Sequence, residues 1–283
     1  MGRGRAAGVH ARDRPDGRGG AHALWLLERA GDGHASRVLL HSVLAIGAAT
    51  WSPAQAVASS VVGWEALADP AGRLHVVYVR AQNAPDAPPG IYHRRYAAGP
   101  ARWSAPGLVR ESLYARLLTA EDLRLAGAAD DAGNVNVAWY DPRSNTMWTA
   151  RSPDGGRTWA APGRVPVADA VSAHLAATGR GEFLALWRVS TGDMTIALSQ
   201  QRSRDGGDSW DDPLRVLPTL AAPGDEILLQ QMDDGRLLLA PGLGGWYGRG
   251  CQLPLPSTCR RVARAGSWSR RTPRGYRRAY RRR

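Results

Sequence analysis

Three arginines, Arg80, Arg143 and Arg188, each come shortly after an apolar, β-prone run: Leu74–Val79, Val135–Tyr140 and Phe183–Trp187. A guanidinium presents a planar fork of N–H donors that fits a carboxylate in two-point fashion, so arginines gathered from separate loops are a means of holding an acidic ligand. The loops after and before such runs also carry Asp141, Glu226, Tyr114, Trp246 and Tyr247. Aromatic faces pack against sugar rings, so the set suits an acidic or polyhydroxylated ligand, a glycan or another acidic small molecule. Other chemistries lack their residues. The seven histidines show no zinc-ligand spacing, and two cysteines cannot build a structural zinc site alone. Gly-Arg-Gly sequences occur near both ends without the strand–loop–helix setting that phosphate binding needs. No metal and no cofactor is expected. Cys251 and Cys259 lie in a Pro-rich loop, compatible with one disulfide or with two free thiols.

The elements that must position these loops repeat. Trp51-Ser-Pro, Trp103-Ser-Ala-Pro, Trp159-Ala-Ala-Pro, Trp210-Asp-Asp-Pro and, more weakly, Trp268-Ser-Arg-Arg-Thr-Pro recur at intervals of 52, 56, 51 and 58 residues. A Gly-containing turn followed by an apolar run keeps step with them, at Asp16–Gly20, Ala71–Arg73, Asp131–Asn134, Gly179–Glu182 and Asp234–Arg236. A shared period of about fifty residues marks a solenoid or a propeller. The clearest unit reads as four strands: Leu123–Ala129, Val135–Asp141 after a turn at Asp130–Asn134, Thr146–Arg151, and Thr158–Val165. Helix signals are scarce, the best stretch being Ser112–Leu125, read as a long loop with a helical turn. Four-stranded units repeated radially make an all-β propeller. Five blades are recognisable.

Ahead of two of the tryptophans the chain reads Ser152-Pro-Asp-Gly-Gly-Arg-Thr-Trp159 and Ser203-Arg-Asp-Gly-Gly-Asp-Ser-Trp210. Both fit Ser-x-Asp-x-Gly-x-x-Trp, which resembles the Asp-box, or bacterial neuraminidase repeat, of the sialidase-like propellers. The resemblance covers roughly residues 11–273. It implies a six-bladed propeller, of which this chain is an incomplete or five-bladed form. It also implies a scaffold role for Ser152, Asp154, Gly156, Trp159, Ser203, Asp205, Gly207 and Trp210. The other units depart from the box, with Tyr96, Ala98 and Pro100 before Trp103 and Leu44, Ile46 and Ala48 before Trp51.

The same resemblance implies sialidase chemistry: a Tyr nucleophile with a Glu base, an Asp acid/base and an arginine cluster on the substrate carboxylate. Tyr247, Glu226 and Asp141 are cast in the catalytic roles, and Arg80, Arg143 and Arg188 as the substrate-binding arginines. The family's Phe-Arg-Ile-Pro element is absent, and Trp187-Arg-Val-Ser190 is neither that motif nor in its position. The function implied is a glycan-directed protein, an exo-glycosidase on sialylated or other acidic glycans. The alternative is a non-catalytic propeller serving as a carbohydrate-binding or protein-interaction scaffold.

Charge divides the 283 residues. The chain has no lysine and a net charge of +12, yet residues 21–259 carry 21 arginines against 23 acids. Residues 260–283 carry 11 arginines and no acid. A nucleic-acid partner is therefore expected only through this Arg-rich tail. The tail reads as a basic tail touching polyanions, as a poorly matched last blade, or as the product of a shifted reading frame. The expected division is an Arg-rich segment at 1–10, a propeller at 11–259 and the tail. No apolar run reaches 18 residues, so no membrane partner is expected. Met1–Arg5 is not followed by the apolar core of an intact signal peptide. The resemblance implies a secreted or extracytoplasmic setting if the N-terminus is incomplete.

Overall fold

A computed structural model describes residues 9–10, 21–29, 36–70, 72–81, 87–97, 99–118, 122, 124–192, 195–220, 227–231 and 237–241. The chain divides into two units, Met1–Pro223 and Gly224–Arg283. The first holds four antiparallel sheets, each a meander in which neighbours in sequence are neighbours in space, except that the outer edge of one sheet is split into two strands that both pair with its third. Sheet I is β1 (Val9–His10), β2 (Ala21–Arg29), β3 (Ser36–Leu44) and β4 (Gln55–Ser59). Sheet II is β5 (Val61–Ala68), β6 (Leu74–Arg80), β7 (Gly90–Ala97), β8 (Arg102–Trp103) and β9 (Gly107–Glu111). Sheet III is β10 (Ala126–Ala129), β11 (Val135–Asp141), β12 (Thr146–Ser152) and β13 (Gly163–Arg164). Sheet IV is β14 (Ala170–Gly179), β15 (Glu182–Ser190), β16 (Ile196–Ser203) and β17 (Leu214–Leu220). In the second unit, β18 (Ile227–Gln231) and β19 (Leu237–Pro241) form a hairpin. The sheets are blades of a β-propeller, and the five expected repeats correspond to four complete blades and this hairpin.

One backbone hydrogen bond recurs in every complete blade and confirms the alignment of the repeats. The residue after the marker tryptophan donates its N–H to the third strand: Ser52 to Val43, Ser104 to Arg95, Ala160 to Arg151 and Asp211 to Arg202, at 2.8–2.9 Å. The proline that follows has no N–H to give, so pairing of the outer strand resumes only beyond it. This is why Pro106 separates β8 from β9, and why the fourth strand of sheet III is Gly163–Arg164 rather than the longer Thr158–Val165. The first strand of that sheet likewise begins at Ala126 rather than Leu123. The stretch after Ser112 forms a single 3-10 turn, Leu113–Leu117, within an otherwise irregular connection.

The core lies between the sheets. Along β6, Leu74, Val76 and Tyr78 pack with sheet I, whereas Val77 and Val79 pack with sheet III. Because both faces are covered, the strand is buried almost throughout instead of alternating with polar residues. Sheets III and IV enclose a third layer around Ala138, Met147, Ala185, Trp187 and Ala197. The first strands form the inner edge, with β5 packed on β10 and β10 on β14.

The tight hairpins between first and second strands depend on a buried aspartate. Asp130, 1% exposed, accepts the backbone N–H and the side-chain amide of Asn134, both at 2.7 Å, and the N–H of Gly181 on the next blade, also at 2.7 Å. Asp69 makes the same turn, accepting Arg73 N–H at 2.8 Å and pairing with the Arg73 guanidinium. Gly72 and Gly133 adopt φ of +76° and +93°, a conformation L-residues resist.

Histidines fill the first two interfaces. His22 and His41 are hydrogen-bonded at 2.9 Å, and the His41 ring meets Tyr96 and Trp103 of sheet II edge-on. His75 and His93 repeat the pair at 3.0 Å, and His93 meets Trp159 of sheet III edge-on. Burial, reinforced by the neighbouring His75, lowers the His93 pKa to about 3; burial and His22 lower His41 to about 4. The folded chain thus refuses protons that the unfolded chain takes up below pH 6.5. Each such histidine costs up to about 1.4 kcal/mol of stability per pH unit as pH falls from 6.5 toward its folded value. Urea midpoints of the intact chain should therefore fall steadily between pH 7 and pH 4. The double change His75→Asn, His93→Thr, which copies the residues of the third interface, should make that fall shallower. Equal slopes would show that the pair does not govern acid stability.

Candidate functional site

The two Asp-boxes are built alike, from hydrogen bonds that close within their own turns. Ser152 donates to Asp154 Oδ1 at 2.8 Å and accepts from Gly156 N–H at 2.8 Å; Asp154 Oδ1 also accepts the N–H groups of Arg157 and Thr158 at 2.9 Å. Ser203, Asp205, Gly207, Asp208 and Ser209 repeat the pattern with distances of 2.8–3.0 Å. Burial pushes both carboxyls up, but the hydrogen bonds from Thr158 and Ser152, or from Ser209 and Ser203, outweigh it and hold them at about 2. Gly155 N–H reaches Gly133 C=O at 2.7 Å, and Gly206 N–H reaches Gly181 C=O at 2.9 Å. The box therefore lies beside the turn joining first to second strand, at the opposite end of the blade from the loop joining second to third.

That other end carries the arginines. Arg80 closes β6, opposite Val61 and Gly90. Its Nη2 donates to Ser59 Oγ at 3.2 Å, and its Nε is buried with no hydrogen-bond partner among the described residues. Asp141 closes β11 at the register position of Arg80, and its Oδ1 accepts the Arg143 N–H at 3.0 Å across the turn. Arg143 is exposed, its guanidinium 5.7 Å from the centre of the Tyr114 ring. Arg110 lies 4.3 Å over Trp148. Arg188 is placed differently. β15 runs to Ser190, beyond the apolar Phe183–Trp187, so Arg188 is a strand residue paired with Leu198 and not part of a loop. It stands at the position of Val79 and Tyr140, on the opposite strand face from the Arg80 position, and its charge adds to the burial that lowers His174. Arg188 therefore does not share the strand-end position that Arg80 and Asp141 occupy.

Tyr247, Glu226, Trp246, the cysteines, the Asp16–Gly20 and Asp234–Arg236 turns and the Arg-rich tail lie outside the described residues. Among those described, no group of His, Cys, Asp and Glu could hold a metal ion, and no helix is long and apolar enough to cross a membrane.

One residue on the inner edge escaped the sequence reading. Glu65 sits on β5, opposite Val77, and burial pushes its carboxyl up to about 7. Its signal was a lone acid inside Val61–Ala68, an otherwise apolar run. A carboxyl that titrates near neutrality can donate or accept a proton there. Its raised pKa means the folded chain holds a proton that the unfolded chain loses above pH 4.5, so it costs stability as pH rises toward 7. Glu65→Gln should raise the urea midpoint at pH 8 more than at pH 5. An equal change at both would show an ordinary carboxylate.

A family model described as a BNR repeat-like domain matches residues 25–245. Among solved structures, the NanB sialidase of Streptococcus pneumoniae is 12% identical with a TM-score of 0.50, covering 83% of this chain and 56% of its own. A protein of unknown function from Dyadobacter fermentans is 19% identical with a TM-score of 0.48, covering 80% and 72%. The Aleuria aurantia lectin is 16% identical with a TM-score of 0.45, covering 72% and 59%. The sialidase likeness supports the fold. The chain spans little more than half the length of that sialidase or of the lectin. No curated protein matches it. With paired Asp-boxes on four-stranded blades and a family match over most of its length, the chain belongs to the BNR repeat-like domain family.

Proposed function

We propose that the chain is a glycan-directed propeller whose acidic ligand is held by arginines at the ends of the second strands. The observation that carries this reading is Arg80, a half-buried guanidinium anchored through Nη2 to Ser59 while its buried Nε keeps a donor unused. A buried donor without a partner costs about 1–3 kcal/mol, a cost that a carboxylate offering two acceptors would remove. The sialidase whose fold the chain shares agrees with a sialylated or other acidic glycan as ligand.

In the catalytic form of this reading Tyr247 is the nucleophile, Glu226 its base and Asp141 the acid/base, with Arg143 assisting Arg80. Glu65 adds a further carboxyl able to exchange a proton near neutral pH. A second reading, a non-catalytic carbohydrate-binding or interaction scaffold, is favoured by the existing contacts of two of these residues. Asp141 braces the backbone of its own turn, and Arg143 lies over Tyr114.

Calorimetric binding of N-acetylneuraminic acid and turnover of a fluorogenic sialoside separate the two. Arg80→Ala should weaken binding at least tenfold, about 1.4 kcal/mol. If the chain is an enzyme, Tyr247→Phe should abolish turnover and leave binding intact. Binding without turnover in the wild type selects the scaffold reading. Neither binding nor turnover ends the acidic-glycan proposal.

A further inference from the structure

We infer that the cleft between blades III and IV is a second binding site, for a single neutral sugar ring, formed because Asn136 and Thr149 stand where the two preceding interfaces carry histidines. The register makes the equivalence explicit. His93 pairs with Val77 three residues into the run that begins at Leu74, and Thr149 pairs with Ala138 three residues into the run that begins at Val135. His75 and Asn136 each follow the first residue of those runs. At the second interface the His93 ring occupies the space beside Gly156 and Trp159; a Cβ on Gly156 would fall 2.1 Å from that ring. At the third, Asn136 takes the place beside Gly207, bonding Gly206 C=O at 3.1 Å, and Thr149, a shorter side chain than histidine, borders an open space together with Trp210. The space left is a pocket of about 250 Å³ bordered by Thr149, Arg151, Trp187, Gln201, Asp208 and Trp210.

The chemistry of this lining differs from that of the arginine end. Trp210, half-buried, supplies an indole face of the kind on which the C–H face of a sugar ring packs, while Trp187 is buried behind it. Arg151 and Asp208 are paired at 2.8 Å, so a donor and an acceptor stand side by side with no net charge between them. Hydroxyl groups, which both donate and accept, match that pair, whereas an anion would meet the Asp208 carboxylate. The Arg164 guanidinium, although its residue borders the pocket, lies 5.5 Å from the Trp148 ring on the other face of the sheet. The floor is fixed before any ligand arrives. Gln201 Oε1 accepts from Trp187 Nε1 at 2.9 Å, and its Nε2 donates to Asp211 C=O at 2.8 Å. Pockets for drug-sized ligands run to roughly 300–1,000 Å³, so this one suits one ring and not a chain of them.

The site is independent of the acidic-ligand reading, and its test keeps the two apart. Saturation-transfer NMR on the full chain would use D-galactose, D-mannose, D-glucose and L-fucose as neutral probes and N-acetylneuraminic acid as the acidic one. At least one neutral sugar should bind saturably, without competition from the acid. Thr149→His, which restores the residue of the other interfaces, should weaken that binding at least tenfold. Asp208→Ala, which removes a side chain 65% exposed and keeps the backbone N–H that serves the Asp-box, should weaken it at least fivefold and carries the test if Thr149→His fails to fold. Any response to N-acetylneuraminic acid should be unchanged in both. Absence of binding by all four neutral sugars, binding within twofold of wild type in the folded variants, or parallel loss of neutral and acidic probes would each overturn the proposal.

Discussion

The structure depends on one contact made twice: the marker tryptophan of a blade reaches back onto the third strand of the blade before it, Trp103 onto His41 and Trp159 onto His93. Trp103 is 8% exposed beneath sheet I, and its ring meets His41 edge-on. Trp51, whose sheet has no sheet before it in the described chain, is 43% exposed. A blade thus does not bury its own tryptophan. A large ring removed from water is among the strongest apolar contributions a side chain can make, and here it becomes available only when two blades stack. Stability is correspondingly a property of interfaces between neighbours, as in other repeat folds.

That contact dictates what lies around it. The Asp-box is a brace: its carboxylate gathers the N–H groups of the turn, and its serine ties the glycine, so that the tryptophan leaves the turn in a fixed direction. Where the box is missing, as before Trp103, Tyr96 takes the serine position and packs against the histidine pair of sheet I, so packing substitutes for hydrogen bonding. The opposite end of each blade is free of this duty. There the chain places Arg80, Asp141 and Arg143, residues that the packing of the core does not require.

The histidine pairs and the third interface are two solutions to one geometric problem. An imidazole fills the space over the tryptophan and joins the second strand to the third, but it brings a buried titratable group and hence acid sensitivity. Asn136 and Thr149 avoid the titration and leave a cleft. Neither choice alters the course of the backbone, since the outer hydrogen bonds of the blades are the same in both.

How much of this was legible in the residues follows from the range of each interaction. Tryptophan spacing, Gly-containing turns and the two Asp-boxes are local signals; their hydrogen bonds close within a few residues, so the strands and the repeat could be read before any folding was considered. Strand ends were read less well, because Pro162 and the turn bonds of Thr158 shortened one strand while pairing with Leu198 extended another and drew Arg188 out of its loop. The face on which a strand residue lies, the burial that raises the Glu65 pKa and lowers that of His93, and the pocket opened by Thr149 depend on residues distant in sequence that the stacked sheets bring together. Only the stacking of the sheets decides these, because desolvation and packing belong to the interface and not to the segment.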